Sequence, residues 1–174
     1  HQEYYFASLV KNKSSWDSTI PNEYNAMLSV VMLAPICSII SDLSITWVFK
    51  IVYPFLFSLV PLVLYQTYRK FTNSKIAFLG LFYFMSVFTF FTEIVAVARQ
   101  QIGEIFLALL ILSIVGKKVD TRKKAILLMI FSASLVVSHY ALAYVLMFSL
   151  FFSFLLLSLV QGTRPSRNGT ITGT

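Results

Sequence analysis

The sequence predicts an all-α fold, a polytopic transmembrane helix bundle, and three observations carry that expectation. Of 174 residues, 57% are hydrophobic and only 12% charged, about half the charged share of an ordinary soluble domain. Mean hydropathy is +0.78, and long apolar runs follow one another. The bases collect in short connections between those runs. So few charges cannot cover a water-facing surface, and a chain with this much to bury does not stay disordered. The net charge of +7 is distributed as in membrane topology rather than as in a nucleic-acid groove. Membrane lipid is therefore an expected partner and nucleic acid is not. Cys37 is the single cysteine, which excludes an internal disulfide and a cysteine metal cluster.

Residues 1–42 read as an extracytoplasmic loop with a juxtamembrane helix. Pro21 and Asn22 suggest a helix start, and Ala34-Pro35 a stop or kink. The apolar stretch Met27 to Leu33 is too short to span and is expected to lie on or dip into the bilayer. Residues 43–160 form the transmembrane region, with about five segments. The first, Leu43 to Tyr68, contains Pro54 and Pro61, which kink a membrane helix without excluding it. The second is Ile76 to Val97, and the third, Ile102 to Val115, is short. Ala125 to Val137 and Tyr140 to Val160 form one run interrupted only by Ser138-His139. As a single helix that run would reach ~54 Å at ~1.5 Å per residue. The hydrocarbon core is about 30 Å thick, so a break is expected at Ser138-His139. Residues 161–174 read as a polar, flexible tail. The chain opens on His1 without a legible signal peptide, which suggests an internal fragment whose first span lies upstream.

Charge sets the orientation. Arg69, Lys70 and Lys75 follow the first segment, and Lys117, Lys118, Arg122, Lys123 and Lys124 follow the third. The connection Ala98 to Gln101 holds only Arg99, and the Ser138-His139 break holds no formal charge. Placing the basic connections in the cytoplasm satisfies all of them. Glu3, Glu93, Arg99, Gln100, Glu104 and His139 then fall at or near the outer face of the plasma membrane, and a polar site facing outside is expected.

Each candidate has a chemical and a bland reading. His1 with Glu3 could supply a base or a metal ligand, or simply a polar loop anchored by Tyr4, Tyr5 and Phe6. Glu93 has apolar neighbours on both sides, and Arg99 is its obvious partner. That pair could form a site or only set packing. Arg99 could bind a phosphate through charge-assisted bonds, with Gln100 beside it. Lys50 reads as a snorkelling lysine and Glu104 as a favourable acid at a helix N-terminus. His139, the only histidine among the apolar segments, could carry a proton or contact substrate. It could equally be a hydrogen-bonded residue at a helix break.

The stretches HQEYYF, YNAMLSVVMLAPICSIISDLSITWVFKIVYPFLFSLVPLVLYQTYRK, ARQQIGEIFLALLIL and LVVSHYALAY resemble an archaeal family of large multi-pass membrane proteins. That family is grouped with the GT-C type glycosyltransferases. The resemblance implies a GT-C-like glycosyltransferase. It would use a polyprenyl-phosphate-linked sugar as donor and a glycan or protein as acceptor, at the extracytoplasmic face. It implies that Glu3 matches the acidic residue of the first outer loop and that Glu93, Arg99, Gln100 and Glu104 stand in the second; with the readings above, catalytic roles are expected for Glu3 and Glu93 and substrate contacts for His1, Arg99, Gln100 and His139. Some relatives hold a divalent metal on an acidic pair in the second outer loop. This chain has no Asp-x-Asp there, which leaves a metal open. In the expected reaction Glu3, or a carboxylate upstream of His1, deprotonates an acceptor hydroxyl or amide, Arg99 stabilises the departing lipid phosphate, and Glu93 orients Arg99. The residues alone also allow a transporter or flippase with an ionisable path through Glu93, Arg99 and His139, or a non-catalytic membrane scaffold.

The orientation is testable. A Lys118→Cys substitution in a Cys37→Ser background should resist an impermeant thiol reagent in intact cells and react once the membrane is opened. Labelling in intact cells would invert the topology.

Overall fold

The computed structural model describes residues 2–117 and 119–162, with the side chains of all but residues 93–95, 161 and 162. Helices and turns account for these residues, with no strand among them. The first helix, α1, spans Gln2–Lys13, where a polar loop was an open reading. Its helical spacing gathers Phe6, Ala7 and Val10 on the buried face, and Phe6 and Val10 pack on Val31. Lys11 and Lys13 sit in its last turn, favourably placed at the negative helix end. Ser14, in the left-handed region at φ 52°, follows the helix.

The connection from 14 to 27 is held by side chains. Trp16 Nε1 donates to the Asn25 carbonyl at 3.1 Å. The buried Asn25 donates from Nδ2 to the Asp17 carbonyl at 2.7 Å. Pro21 and Asn22 do not start a helix. Asn22 Oδ1 accepts from the Tyr24 amide at 2.9 Å instead, a local turn that competes with helix. Two short helices follow, α2 at Leu28–Val31 and α3 at Leu33–Ser41. Pro35 lies in the first turn of α3, and the helical run over 28–41 is interrupted at Met32, in the turn before it, as expected of a kink. Asp42, at φ 55°, caps α3 in the left-handed conformation that Asp tolerates. Lys11 Nζ donates to Ser38 Oγ at 2.8 Å and ties α1 to α3.

Three helices are long and apolar enough to cross a membrane: α4 at Ile45–Tyr68, α7 at Ala98–Val115, and Tyr140–Val160 within α9 at Tyr140–Gly162. The five expected segments are all helical, but three differ in form. The second divides at Val87 into α5, Ser74–Ser86, and α6, Phe88–Ala96. Val87 takes an extended conformation (φ −68°, ψ 132°), which suits a β-branched residue. The fourth, α8, spans Thr121–Ser138 and carries Arg122, Lys123 and Lys124 in its first turn. The third is longer than expected. Its 18 residues reach ~27 Å, close to the hydrocarbon thickness. The polar residues Arg99, Gln100 and Gln101 had disguised its first turn.

Helix α4 deforms ahead of Pro54. Residues Val48–Val52 form a π turn, and the Tyr53 amide donates to the Val48 carbonyl five residues back. Proline has no N–H to continue the ordinary ladder, so the turn widens. Tyr53 is fully buried, and its hydroxyl donates to the Ser29 carbonyl at 2.6 Å.

One end of the bundle gathers Ala7, Ile45, Val48, Tyr53, Ala98 and Ile102 in a single core. Further along, Phe57 and Val60 meet Ala108. Helices α4 and α7 therefore leave that end side by side in the same direction, while α5–α6 and α8 return to it. Basic connections lie at the far end, and the Val97 and His139 breaks at the near end, as the charge pattern requires. Ser138 ends α8, His139 is extended (φ −154°, ψ 98°), and α9 starts at Tyr140. The expected break is thus present. None of the apolar stretch of α9 is buried against the rest of the chain.

Gly103 lets α7 approach this break. A Cβ there would lie 2.9 Å from His139 Cβ and 3.1 Å from Leu142 Cδ1. Gly103→Ala should force the helices apart and cost about 1–3 kcal/mol, read as a lower thermal midpoint in detergent. An unchanged midpoint would show that the approach is not tight.

Candidate functional site

The site begins with an uncapped helix. Val97 is extended (φ −123°, ψ 95°) and offers no side-chain hydrogen bond to the first turn of α7. The cap comes from a residue 95 positions earlier. Glu3, in the first turn of α1, accepts from the Ala98 amide through Oε2 at 3.1 Å. The Arg99 amide also acts on this carboxylate. A carboxylate at a helix N-terminus satisfies orphan donors and complements the positive end of the helix.

The other carboxylate oxygen faces the guanidinium. Arg99 Nε lies 3.5 Å from Glu3 Oε1, with side-chain exposures of 21% and 15% respectively. At that length the contact is Coulombic rather than a hydrogen bond. Tyr24 supports the guanidinium from one face, with Cζ 4.8 Å from the ring centroid. Nη1 lies 3.6 Å from Met27 Sδ. A guanidinium has five N–H donors in a planar fork, more than these contacts use. Gln2, Glu3, Tyr24, Ala96, Val97 and Arg99 line a cleft of about 230 Å³.

Burial pushes the Glu3 carboxyl above the ordinary carboxylate value, and the Arg99 charge and backbone amides oppose that shift without cancelling it. Desolvation prevails because the carboxylate is largely removed from water while its cation is no closer than 3.5 Å. His139 also feels Arg99. Burial, and then the Arg99 charge, hold its imidazole below the ordinary value. The neutral ring accepts from the Leu142 amide through Nδ1 at 3.4 Å, an N-cap for α9. Beside it, Tyr140 donates its hydroxyl to Glu23 Oε2 at 3.3 Å.

The structure brings Glu3 and Arg99 together and sets His139 within reach of their field. Gln100 is placed elsewhere. It donates from Nε2 to Glu104 Oε1 at 2.9 Å, one turn along α7. Glu104 is in the second turn of α7, so the helix-terminus reading for it is corrected. It lines a separate, mainly apolar cleft of about 200 Å³ with Val60, Leu64 and Phe84. Lys50 stands over the Trp47 ring at 5.7 Å. His1 and the side chain of Glu93 lie outside the described residues. The expected orienting partner of Arg99 was Glu93; the partner seen is Glu3. Among the described residues, no three His, Cys, Asp or Glu side chains are grouped to hold a metal ion.

Tyr24 and Met27 were not expected in the site. Their local sequence reads as loop and apolar helix, and only the docking of 14–27 over α7 gives them an arginine to support. Gln101, fully buried in α7, was also not singled out, since its neighbours in the sequence are equally polar.

Comparison of the chain with protein-family models, with curated proteins and with solved structures gives no match.

The raised Glu3 value has a thermodynamic sign. The folded state holds the proton more tightly than the unfolded chain does. The stability contributed by the protonated form is therefore complete below the ordinary carboxylate value and is lost as pH rises through the raised one. Glu3→Gln keeps an acceptor for the Ala98 amide and removes the titration. Thermal midpoints measured against pH should decline across that window in wild type, and Glu3→Gln should lose that decline. The same decline in both would show that Glu3 does not titrate there.

Proposed function

We propose that this chain is part of a membrane glycosyltransferase of the GT-C-like kind, transferring sugar from a polyprenyl-phosphate-linked donor. The observation that carries the reading is the Glu3–Arg99 pair lining a cleft, at the end of the bundle opposite the basic connections. Its two members have complementary tasks. Arg99 carries a permanent charge and a fork suited to phosphate oxygens. Glu3 is a carboxylate whose proton affinity is already raised by burial, which moves it toward the range of a useful general base.

The two tasks are coupled. In the resting arrangement each holds the other. When a lipid phosphate enters, it competes with Glu3 for the guanidinium. As Arg99 turns toward the phosphate, Glu3 loses part of its counter-charge and its proton affinity rises further. Glu3 then takes the proton of an acceptor hydroxyl, the acceptor oxygen bonds to the anomeric carbon, and the bond from that carbon to the phosphate oxygen breaks. The electron pair leaves with the phosphate, where Arg99 meets the developing charge. Glu3 thus also orients Arg99 in the resting arrangement.

In membranes carrying the full protein, Arg99→Gln should lower transfer from the lipid-linked donor by roughly 30- to 1000-fold, equivalent to about 2–4 kcal/mol of transition-state stabilisation. Arg99→Lys should recover only part of it, because a point charge does not reproduce the fork. A purely structural pair makes the opposite forecast. The double variant Glu3→Gln, Arg99→Gln would then regain both stability and transfer. Full transfer by that double variant would overturn the reading and leave the pair as a tie between α1 and α7.

A further inference from the structure

A second polar feature lies at the other end of the bundle. Two clefts, of about 500 and 280 Å³, open between the connections that follow α4 and α7. Both are lined by Lys70. Lys117 completes the larger one and Lys124 the smaller. Ligand sites commonly run from about 300 to 1,000 Å³.

The ammonium groups are not equivalent. Lys124 Nζ donates to the carbonyls of Ile114 and Gly116, at 2.7 and 3.2 Å. These carbonyls belong to the C-terminal end of α7, which by itself would repel an anion. Lys124 covers that negative end. Lys70 and Lys117 are exposed at the rim. Apolar side chains stand beside them: Phe71 is 71% exposed and Ile114 is 42% exposed, and both line the larger cleft. Basic groups over an apolar wall, at the end of membrane-length helices, match the two chemistries of one ligand class.

We infer that this pair of clefts binds a single anionic phospholipid, its phosphate between Lys70 and Lys117 and its acyl chain against Phe71 and Ile114. Charge complementarity and the position at the helix ends select a lipid over a soluble anion. Basic residues close to a membrane surface each attract anionic lipid by roughly fivefold, so a general preference is expected from any base in these connections. The distinguishing feature is geometry. Arg122 and Lys123 share the connection and are exposed, but neither lines these clefts. This site is independent of the Glu3–Arg99 pair and of any transfer reaction.

The test is lipid retention by the full chain. The protein is equilibrated in bilayers of equal phosphatidylglycerol and phosphatidylcholine, extracted gently, and weighed by native mass spectrometry. Wild type should retain one phosphatidylglycerol in preference to phosphatidylcholine. Lys70→Gln with Lys117→Gln should lose that preference by roughly tenfold or more, while Arg122→Gln with Lys123→Gln should keep it. Absence of a preference in wild type overturns the site without recourse to any variant. Equal loss in the two double variants overturns it in favour of a diffuse basic belt. Displacement of the lipid by millimolar inorganic phosphate overturns it in favour of a free anion.

Discussion

The capture of the α7 N-terminus by Glu3 is the interaction on which the rest of the near end depends. Helix α7 enters without a cap of its own, because the residue before it is an extended valine. Glu3 supplies the missing acceptor from α1. That contact joins α1 to α7, while Phe6 and Val10 pack on Val31 and Lys11 ties α1 to Ser38. The same carboxylate sets the Arg99 side chain against the 14–27 connection, where Tyr24 and Met27 receive it. Fold and candidate site thus share one carboxylate.

This sharing sets a tension that the bundle resolves by burial. A fully exposed Glu3 would pair weakly with Arg99, because surface ion pairs are screened. A fully buried pair would carry a large desolvation cost. The observed pair is intermediate, largely covered yet open to a cleft. Its carboxyl is raised in proton affinity despite an adjacent cation. Such a partly covered pair, with a perturbed carboxyl beside a cleft, is the kind of arrangement in which functional groups are found.

The two ends of the bundle differ in kind. At the near end the charges are of both signs, and the Glu3–Arg99 pair joins stretches far apart in the chain. At the far end they are many, local and mostly exposed. Lys124 spans both styles, since it is one of a run of bases yet closes the carbonyl end of α7. The parallel run of α4 and α7 places these contrasting surfaces at opposite ends of the same two helices. Gly103 and the His139 break let α8 and α9 close against α7 at the near end.

Much of this was legible in the sequence. The helical class, the separation of basic and sparsely charged connections, and the break at Ser138-His139 follow from hydropathy, charge and the length limit of a bilayer. These are one-dimensional quantities, and no knowledge of neighbours is needed to read them. Glu3 and Arg99 were also identifiable as candidates, Glu3 as a carboxylate beside an imidazole and Arg99 as a costly charge beside apolar runs. Their partnership was not. Glu93 is six residues from Arg99 and Glu3 is 96 residues away, so sequence proximity favoured Glu93. Local reading likewise hid α1, whose polar composition resembles a loop until its Phe6, Ala7 and Val10 find Val31 and Ile45 to cover them. It also shortened α7, whose polar first turn is stabilised by a distant carboxylate. Composition determined that these helices exist and that three of them are long and apolar enough to cross a membrane; only tertiary packing decided which buried charge meets which, because that depends on docking between segments far apart in the chain.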